Sequence, residues 1–558
     1  MLTGTPGPAA GTSRPAASAA SARTGRLSRR PRGCPPFAAK PGPSGPTRGN
    51  CGYLVLIRTR TPAGGGQKRT TVVSHNSQPR KVGSMSRKLA LIYLVDGARA
   101  DVMQQLLDDG DLPNIQEYVV CNGTSRLATT VMPSATGPAY LPFMTGCYPG
   151  TLNIPGLRWL DRREYFAKAL GRYRFRSYNG PEAGMFDGDM PPEHPTMYEI
   201  FDNPYNILSL ITRGLPRGHN LTAWSKPFAY VRAHLTHNWH RVDALSRRCL
   251  LSCLDRDPDF IYAVFPAVDS FSHLQHPHHD QTLQAYRNVD ISVGEVVAKL
   301  KRLGRWDDTL LILTADHGLT ATHTHMDLGQ FFQKRGLDTL TYPGIWKLRP
   351  QMSVMISGNS YGLVYLLHGM NGERDPAQPP LDAEIKTALG PVWDELLGRE
   401  EIDLLIAQRG PQAYAVMAAR GTGVIERVTG GLTYRPENGD PLGLGSLTTP
   451  MDDREALAAT FASDYPDILV QVENCFNCSR GGDLVAIARN GYDLRSSFEW
   501  PEHHGSHGSL HREHMIVPVI YNRQDWAEGP MRTVDLFNTI LKWSGRTPLE
   551  NTDGRTLC

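Results

Sequence analysis

An α/β fold built on a doubly wound, mostly parallel sheet is predicted from three features of the sequence. Residues 89–95, 260–265 and 310–313 are short, continuous apolar runs, which are typical of strands buried on both faces. A helical pattern over 281–303 separates the last two runs, and strands that alternate with helices form parallel sheets. An aspartate follows the end of each run: Asp96, Asp269 and Asp316. Because ligands of such folds bind at the carboxyl ends of the strands, we expect these carboxylates in the functional site.

Residues 1–84 differ from the rest of the chain. They are rich in Pro, Gly, Ala, Ser and Arg and lack the periodicity and apolar content of a folded domain, so we predict a disordered basic extension. We hypothesise that the native protein starts at Met85 and does not include this extension. Of the 59 basic residues, 16 lie in residues 1–88, which contain no acidic residue; this leaves 43 basic and 55 acidic residues, a net charge of −12. A globular part this acidic argues against general nucleic-acid binding.

Residues 85–558 are predicted to form one core domain with two insertions. A helix is expected over 98–107, directly after the first strand. Residues 160–255 are aromatic and irregular and look like a cap, whereas 340–470 contain short alternating runs and a helical pattern, which indicate a smaller α+β subdomain. The core is then expected to resume and close in three runs: 468–471, 483–487 and 534–543.

The nine cysteines follow no repeating framework, which favours a mainly reduced, intracellular protein. Cys475 and Cys478 form a CxxC, but no second pair stands at the spacing of a zinc finger, so we assign no metal to them. No apolar run approaches the roughly 20 residues that span a bilayer. We therefore expect a cytoplasmic protein without a membrane span.

The stretch from Met132 to Pro138 places Thr136 between a β-rich run, 124–132, and an apolar, helix-like run, 139–144. Free backbone N–H groups at the start of a helix favour an anion at such a junction. Taken alone, a threonine in this place is most simply an N-cap. It is a candidate nucleophile only if nearby groups can remove its proton. The choice between the two interpretations depends on whether the chain also supplies metal ligands.

Three further segments carry the residue types that bind metals. Asp269 and His273 stand one helical turn apart, so both can meet one ion. Asp316 and His317 follow the third apolar run directly, and His507 lies in a loop rich in Gly and His. Carboxylates with neutral imidazoles and no cysteine favour zinc first and manganese or iron second.

The combination of these segments is more informative than any one of them. Three carboxylates at neighbouring strand ends repel one another unless cations hold them together. All the segments occur in order on one predicted α/β core, which favours a metal-dependent nucleophile at Thr136. The remaining histidines near His507 are interpreted as solvated loop residues: His503, His504, His511 and His514.

In this combination the chain resembles the alkaline phosphatase superfamily and, within it, the nucleotide pyrophosphatase/phosphodiesterase group. The resemblance runs from about residue 89 to the end of the chain, apart from the two insertions. Its elements are Asp96-Gly-Ala-Arg-Ala-Asp101, Pro133-Ser-Ala-Thr-Gly-Pro138, Thr145-Gly146, Tyr148-Pro149, Asp269 with His273, Thr314-Ala-Asp-His-Gly318, Gly505-Ser-His-Gly508, and the closing runs 533–541 and 553–557.

The resemblance implies a fold of the alkaline phosphatase type and two divalent metal ions, Zn²⁺ first and Mn²⁺ or Fe as alternatives. By motif it assigns the metal ligands in two sets: Asp269, His273 and His507 for one ion, and Asp96, Thr136, Asp316 and His317 for the other. It implies that Thr136 attacks phosphorus and forms a phosphothreonine while the ions clamp the attacking and leaving oxygens. The implied substrate is a small phosphoester.

The leading interpretation is a hydrolase of phosphodiester or pyrophosphate bonds. Phosphonate or phosphomonoester hydrolysis, and phosphoryl transfer, need the same metals and differ only in the pocket, so these alternatives stay open. The sulfatase branch is disfavoured because no Cys-x-Pro-x-Arg is present, and the phosphoglycerate mutase branch because the nucleophile is Thr rather than Ser. A catalytically inactive binding protein is disfavoured because none of the seven ligand positions is missing.

One departure from the family concerns the residue that holds a phosphoryl oxygen. The family uses an Asn downstream of the nucleophile, whereas residues 154–159 contain no Asn and Asn153 stands a few residues too early. Arg158 is assigned as the substitute substrate contact, because a guanidinium offers a charged fork; the alternative is that it pairs with an acid of the cap. Arg99 is interpreted as an ion-pair partner within the fold.

Overall fold

A computed structural model describes residues 87–168, 174–344, 347–370, 378–495, 501–524 and 526–558. The predicted basic extension, 1–84, and the hypothesised start at Met85 lie outside the described residues. Within the described part of the chain, no helix combines the length and the apolar character needed to cross a bilayer.

The strands are numbered β1 to β21 in chain order. They cover Leu89–Val95, Thr124–Thr129, Arg158–Leu160, Phe175–Ser177, Pro204–Ile207, Phe260–Phe265, Thr309–Thr314, Thr320–His325, Thr339–Thr341, Met352–Ser357, Tyr361–Leu366, Ile402–Gly410, Ala413–Ala418, Gly421–Val428, Gly431–Gly439, Leu447–Met451, Leu484–Ala488, Gly491–Asp493, Gly505–Ser506, Ile516–Tyr521 and Met531–Arg532.

The α-helices are numbered α1 to α17 in chain order. They cover Ala100–Asp108, Pro113–Ile115, Leu141–Thr145, Arg162–Ala167, Phe186–Asp189, Met197–Ile200, Ser225–Thr236, His240–Cys253, Ala267–Leu274, Asp280–Arg302, Leu328–Gln333, Asp382–Leu389, Pro391–Leu397, Asp453–Thr460, Ile468–Phe476, Arg512–Met515 and Asp535–Trp543. The helices expected over 98–107 and 281–303 are thus confirmed as α1 and α10, and the closing run 534–543 contains the helix α17.

A central sheet of seven strands, in the order β21-β2-β20-β7-β1-β6-β5, confirms the predicted mostly parallel architecture. Six of its strands run in one direction, and β20 runs antiparallel to both of its neighbours. Every residue of β1, β6 and β7 is buried. This burial on both faces explains why the three strands are continuous apolar runs rather than alternating ones.

The carboxyl ends of the central strands meet at one edge of the sheet. β1 lies between β6 and β7 and pairs in parallel with both, so that Leu91 stands beside Ile261 on one side and Leu311 on the other. β2 runs in the same direction as β7, because β20 between them is antiparallel to each. The segments that follow β1, β2, β6 and β7 are therefore brought together.

A second sheet of nine strands, in the order β16-β15-β14-β13-β12-β17-β11-β10-β9, forms the predicted smaller α+β part. The expected return to the core at 468–471 and 483–487 is wrong. Residues 468–476 form the helix α15, and β17 lies between β12 and β11 in the second sheet. Both runs are short, apolar and buried, and such runs do not by themselves distinguish a helix from a strand or one sheet from another.

The region predicted as a cap, 160–255, contains more regular structure than expected. β3 and β4 form a hairpin, α7 and α8 follow, and β5 joins the edge of the central sheet beside β6. A third small sheet, β18-β8-β19, lies after the third core strand and carries the late Gly/His-rich loop. The boundaries of the two insertions stay predictions.

Candidate metal centre

Two carboxylates of the site follow neighbouring strands of the central sheet. Asp96 comes directly after β1, Asp316 comes two residues after β7, and both are buried. The backbone N–H of Gly97 donates to Asp316 Oδ1 at 3.2 Å, which connects the two strand ends. Burial, together with the charges of Asp316 and Asp269, raises the pKa of Asp96 well above its ordinary value, and burial raises the pKa of Asp316. Charged carboxylates in this place therefore need a cation.

Asp269 and His273 lie one turn apart on α9, as their spacing predicts. His273 Nε2 is 3.4 Å from Asp269 Oδ1. The backbone N–H of Asp269 donates to the carbonyl oxygen of Asp96 at 3.0 Å, so the helix begins against the end of β1. Gly97 makes this approach possible: its φ is +69°, and a Cβ there would lie 2.7 Å from Asp269 Cβ.

His507 follows β19 and is held by the turn between β10 and β11. Its backbone N–H donates to Gly358 O at 2.8 Å, and its carbonyl oxygen accepts from the N–H of Ser360 at 3.0 Å. Gly358 has a φ of +60°, and a Cβ there would lie 2.6 Å from His507 Nδ1. The second sheet therefore positions one of the candidate ligands.

The three candidate histidines are oriented in the same way. The Nδ1 atom of each one faces a backbone carbonyl oxygen: Gly505 at 2.7 Å for His273, Gly318 at 3.0 Å for His317, and Ser134 at 2.9 Å for His507. Because a carbonyl oxygen only accepts, each Nδ1 carries the proton and each Nε2 presents a lone pair. A carbonyl on the far nitrogen is the usual support of a metal-binding imidazole.

The ring of His507 is buried and packed against other histidine rings. The rings of His317 and His507 stack with centroids 3.8 Å apart and planes at 7°. Burial and the neighbouring His317 and His273 keep the pKa of His507 well below its ordinary value. A neutral imidazole at this position can bind a cation without competition from a proton.

Thr136 lies in the loop after β2, and its hydroxyl is among the candidate ligands. Thr136 Oγ1 donates to Asp96 Oδ1 at 3.2 Å and is 3.1 Å from His317 Nε2. The N-cap of the 3-10 turn Pro138–Tyr140 is Gly137, with a φ of +94°, so the simple N-cap interpretation of Thr136 is wrong. Within the described residues, the backbone N–H groups of Thr136 and Gly137 donate to no acceptor. They are available to an anion beside the hydroxyl.

The donor atoms form two groups that could each hold a metal ion. Within each group they lie within 4.8 Å of one another, and the groups are Asp269 with His273 and His507, and Asp96 with Asp269 and His317. Asp269 Oδ1 and Asp316 Oδ2 are buried and have no hydrogen-bond partner among the described residues. A buried carboxylate oxygen without a partner is costly, and a cation removes that cost. Carboxylates with neutral imidazoles therefore fit a divalent ion such as zinc.

Three residues close to this centre escaped the sequence analysis. Tyr140 donates its hydroxyl to Asp96 Oδ2 at 2.8 Å, and its position four residues after Thr136 was the available signal. Lys226 and Tyr230, on α7 of the predicted cap, interact electrostatically with Asp96. Burial lowers the pKa of Lys226 to about 8, against the opposing charge of Asp96. No local pattern in the sequence indicates that this helix reaches the centre.

The histidines expected to be solvated differ from one another. His504 is exposed, as expected. His503 is half-buried with its ring 4.5 Å from that of His273, and burial lowers the pKa of His503 to about 2. His511 and His514 are buried, so the expectation is wrong for both. The partners of His514 are Ser509 Oγ at 2.7 Å and Thr320 Oγ1 at 2.8 Å, the second of which is remote in sequence.

Arg158 lies on β3, half-buried between β4 and β10. Its Nε donates to Ser177 Oγ at 3.3 Å, and its Nη1 donates to Ile356 O at 3.5 Å. The guanidinium lies 5.7 Å from the centre of the Tyr342 ring. These contacts hold the side chain beside the hairpin, and its contact with substrate stays a prediction.

Asn153 and Arg99 have structural roles. Asn153 Oδ1 accepts from the backbone N–H of Arg480 at 3.1 Å, so this amide holds a neighbouring loop of the protein. Arg99 pairs with Asp101 at 2.6 Å, which confirms its interpretation as an ion-pair partner within the fold.

The CxxC thiols belong to neither of the two metal groups found among the described residues. Cys475 and Cys478 are buried, and burial raises their pKa values to about 11 and about 12. Cys475 Sγ is 3.4 Å from the hydroxyl of Tyr361, and Cys478 Sγ donates to Asn153 Oδ1 at 3.1 Å. Thiols this basic are poor metal ligands.

Comparison with known proteins identifies one family whose model matches about half of the chain. A family model described as type I phosphodiesterase / nucleotide pyrophosphatase matches residues 90–371. The mouse protein bis(5'-adenosyl)-triphosphatase enpp4 is 22% identical over 284 residues, which are 47% of this chain and 55% of the relative. The chain thus spans about half the length of the curated relatives it matches.

Two solved structures of one mouse protein have a similar fold. Murine ectonucleotide pyrophosphatase / phosphodiesterase 5 matches with a TM-score of 0.51 at 14% identity, over 84% of this chain and 97% of that chain. An inactive variant of that protein, with a threonine replaced by alanine and in complex with AMP, matches with a TM-score of 0.50, the same identity and the same coverage. This likeness confirms the predicted fold of the alkaline phosphatase type.

Proposed function

Because the chain belongs to the type I phosphodiesterase / nucleotide pyrophosphatase family, we propose that it is a metal-dependent hydrolase of phosphodiester or pyrophosphate bonds. The observation that carries the proposal is the position of the Thr136 hydroxyl. It lies 3.2 Å from Asp96 Oδ1 and 3.1 Å from His317 Nε2, beside two groups of Asp and His side chains that could hold metal ions. A hydroxyl in such surroundings is an activated nucleophile.

The proposed ligands of the two ions follow the assignment made from the sequence. Asp269, His273 and His507 would hold one ion, and Asp96, Thr136, Asp316 and His317 would hold the other. The first set coincides with one donor group of the structure, while Asp269 also lies close to Asp96 and His317 in the second. When bound, two divalent ions, zinc by the nature of these donors, supply positive charge to the attacking and leaving oxygens.

The residues of the chain itself position and activate the nucleophile. The Oγ1 of Thr136 forms a bond to phosphorus, the bond from phosphorus to the leaving oxygen breaks, and the proton of the hydroxyl ends on the leaving oxygen, which gives a phosphothreonine ester. The carboxylate of Asp96 and the Nε2 of His317 both lie within hydrogen-bond distance of that hydroxyl. The free N–H groups of Thr136 and Gly137 are available to the phosphoryl oxygens. Attack of water on phosphorus then releases the product and restores the hydroxyl.

The names of the relatives favour phosphodiester and pyrophosphate bonds as substrates. One relative is called a bis(5'-adenosyl)-triphosphatase, and AMP is the ligand in the structure of another. We therefore propose a small phosphoester with a nucleotide-like leaving group or product. Phosphonate or phosphomonoester hydrolysis and phosphoryl transfer are the alternatives on the same core.

Replacement of the nucleophile tests the proposal. Thr136→Ala should reduce hydrolysis of a nitrophenyl phosphodiester by about a thousandfold or more, because it removes the group that forms the covalent bond. The variant should keep at least part of its metal, measured by elemental analysis, because the Asp and His donors remain. Thr151→Ala is the matched control: its hydroxyl donates to Asp553 Oδ2 at 2.7 Å, and its loss should leave the rate unchanged. Full activity of Thr136→Ala would remove this residue from the mechanism.

A panel of substrates separates the alternatives. One metal-loaded preparation should hydrolyse a nitrophenyl phosphodiester faster than the corresponding monoester or phosphonate. A higher kcat/KM for either of the other two would move the assignment to that reaction on the same core.

A further inference from the structure

Helix α7, Ser225–Thr236, turns an apolar side to solvent. The exposed fractions are 89% for Trp224, directly before the helix, 78% for Phe228, 60% for Val231 and 74% for Leu235. At 3.6 residues per turn, these four side chains fall within an arc of about 60°. They are here called the apolar stripe. The opposite side of α7 packs on the core through Ala233 and other residues.

This arrangement is the reverse of an ordinary surface helix, which places its apolar side on the core and its polar side in water. Four of the seven large hydrophobic side chains exposed in the described part of the chain belong to the apolar stripe. A cluster of this kind, with aromatic residues, marks an interaction surface.

A groove rich in arginine lies beside the apolar stripe, between α7 and α8. It has a volume of about 440 Å³, and three arginines line it: Arg232, Arg241 and Arg248. It is here called the arginine groove. No acidic residue lines the groove, and within the described residues no hydrogen bond or ion pair engages these three guanidinium groups. Unpaired guanidinium groups that converge on a cavity favour an anion, and phosphate in particular.

The local charge agrees with an anionic partner. Residues 213–242 contain five Lys and Arg and no Asp or Glu, although the chain beyond residue 88 has a net charge of −12. The basic segment therefore stands out against an acidic molecule.

We propose that the apolar stripe and the arginine groove dock this protein onto an anionic lipid surface. Helices that bind at the membrane interface combine Trp, Phe and Leu on one side with basic residues beside them, as α7 and its groove do. The aromatic and aliphatic side chains enter the boundary between headgroups and acyl chains, and the arginines bind headgroup phosphates.

Two other occupants fit the observations less well. Residues 1–88 carry 16 basic residues and no acidic one, so the arginine groove repels this segment. A second copy of the chain would bring two arginine grooves close to each other. In addition, four side chains fall short of the roughly 20–30 residues on each side of a stable protein interface.

Co-sedimentation with lipid vesicles tests the proposal and needs no turnover, so its outcome is independent of the proposed hydrolase activity. The protein should bind phosphatidylglycerol vesicles more tightly than phosphatidylcholine vesicles, and added salt should weaken the binding. The double substitution Trp224→Gln/Phe228→Gln should lower the partition coefficient by about tenfold or more, because two large apolar side chains are lost. Arg232→Gln/Arg241→Gln should remove the preference for the anionic lipid.

Leu348→Gln provides the matched control. Leu348 is 83% exposed but lies outside α7, so its substitution should leave vesicle binding unchanged. All variants should have the Tm and the circular dichroism spectrum of the parent protein, which shows that they fold. Absence of binding by the parent protein, or equal binding by the Trp224/Phe228 variant, would overturn the proposal. A dimer seen by light scattering and abolished by the same variant would assign the apolar stripe to a second copy instead.

Discussion

At the scale of single residues, backbone carbonyl groups orient the ligands of the candidate metal centre. The carbonyl oxygens of Gly505, Gly318 and Ser134 accept from the Nδ1–H groups of the three candidate histidine ligands. Each contact fixes both the ring orientation and the tautomer, so that Nε2 is the nitrogen that can bind a metal in every case. The carbonyl groups of Gly505 and Ser134 are remote in sequence from the histidines that they orient, so the spacing of the histidines alone does not reveal them.

Tyr140 supports the carboxylate of Asp96 in the same way. Its hydroxyl donates to Asp96 Oδ2 at 2.8 Å and leaves Oδ1 for the hydroxyl of Thr136. Tyr140→Phe should therefore lower metal affinity by about 10–100-fold with little loss of folding stability. Competition with a chromogenic chelator measures the affinity.

Tyr262→Phe is the control for that measurement. Tyr262 is fully buried, its ring centroid lies 5.9 Å from that of Tyr140, and in the described part of the chain its hydroxyl has no hydrogen-bond partner. Loss of this hydroxyl should leave metal affinity unchanged. Equal effects of the two substitutions would mean that Tyr140 acts through packing rather than through Asp96.

At the scale of elements, the turn after β1 brings α9 against the central sheet. Gly97 has a φ of +69°, and a Cβ there would lie 2.7 Å from Asp269 Cβ. Gly97→Ala should therefore displace α9 and reduce the metal content. It should also lower the free energy of unfolding by more than the cost of a left-handed alanine backbone, which is about 1–2 kcal/mol. Denaturant unfolding and elemental analysis measure the two effects.

Gly110→Ala separates backbone strain from the contact with α9. Gly110 has a φ of +80°, and a Cβ there would meet nothing within 4 Å. This control should show the backbone cost only and keep its full metal content. If Gly97→Ala and Gly110→Ala lose the same amount of stability and no metal, the close approach of α9 to Gly97 is not what organises the site.

The elements of the site differ in how far the sequence predicts them. β1, β6 and β7 could be predicted because each is a continuous apolar run that ends before an aspartate. α15 could not, although Gln471 on this helix accepts from the N–H of Met132 at 2.9 Å and donates to Thr130 O at 3.2 Å. A short run that is mostly apolar is compatible with either a helix or a strand, and only its packing against the loop before Thr136 decides.

At the scale of the whole molecule, the candidate metal centre joins parts that are distant in the chain. The central sheet supplies Asp96 and Asp316, α9 supplies Asp269 and His273, and the turn of the second sheet holds His507. The order of these segments along the chain was sufficient to predict the fold type. The orientation of α7 in the cap could not be predicted from the sequence. Its exposed side is apolar, as the core-facing side of a surface helix usually is.

Removal of the metals should destabilise the whole molecule. Binding to the folded state alone contributes about 2.7 kcal/mol at a free metal concentration one hundred times Kd, so chelation should lower Tm by several degrees. Calorimetry with and without a chelator measures the difference. No change in Tm would contradict a metal centre that joins the two sheets.

The difference in Tm between the metal-loaded and the metal-free protein should increase with pH. Burial and neighbouring carboxylates raise the pKa of Asp96 above that of the unfolded chain, so in the metal-free protein the folded state binds the extra proton. The stability that this proton gives is fully present below the pKa of Asp96 in the unfolded chain. It is lost as the pH rises through the pKa of Asp96 in the folded protein. Metal replaces the proton, and the difference should therefore be larger at about pH 8 than at about pH 6. A smaller difference at the higher pH would contradict this sign.

Identification of the covalent intermediate tests the central claim most directly. The metal-loaded protein is mixed with a nitrophenyl phosphodiester, quenched in acid within one turnover, digested and analysed by mass spectrometry. We predict a phosphoryl ester on the peptide that contains Thr136, absent from Thr136→Ala. An adduct on another residue, or turnover by the parent protein with no adduct under single-turnover conditions, would contradict Thr136 as the nucleophile.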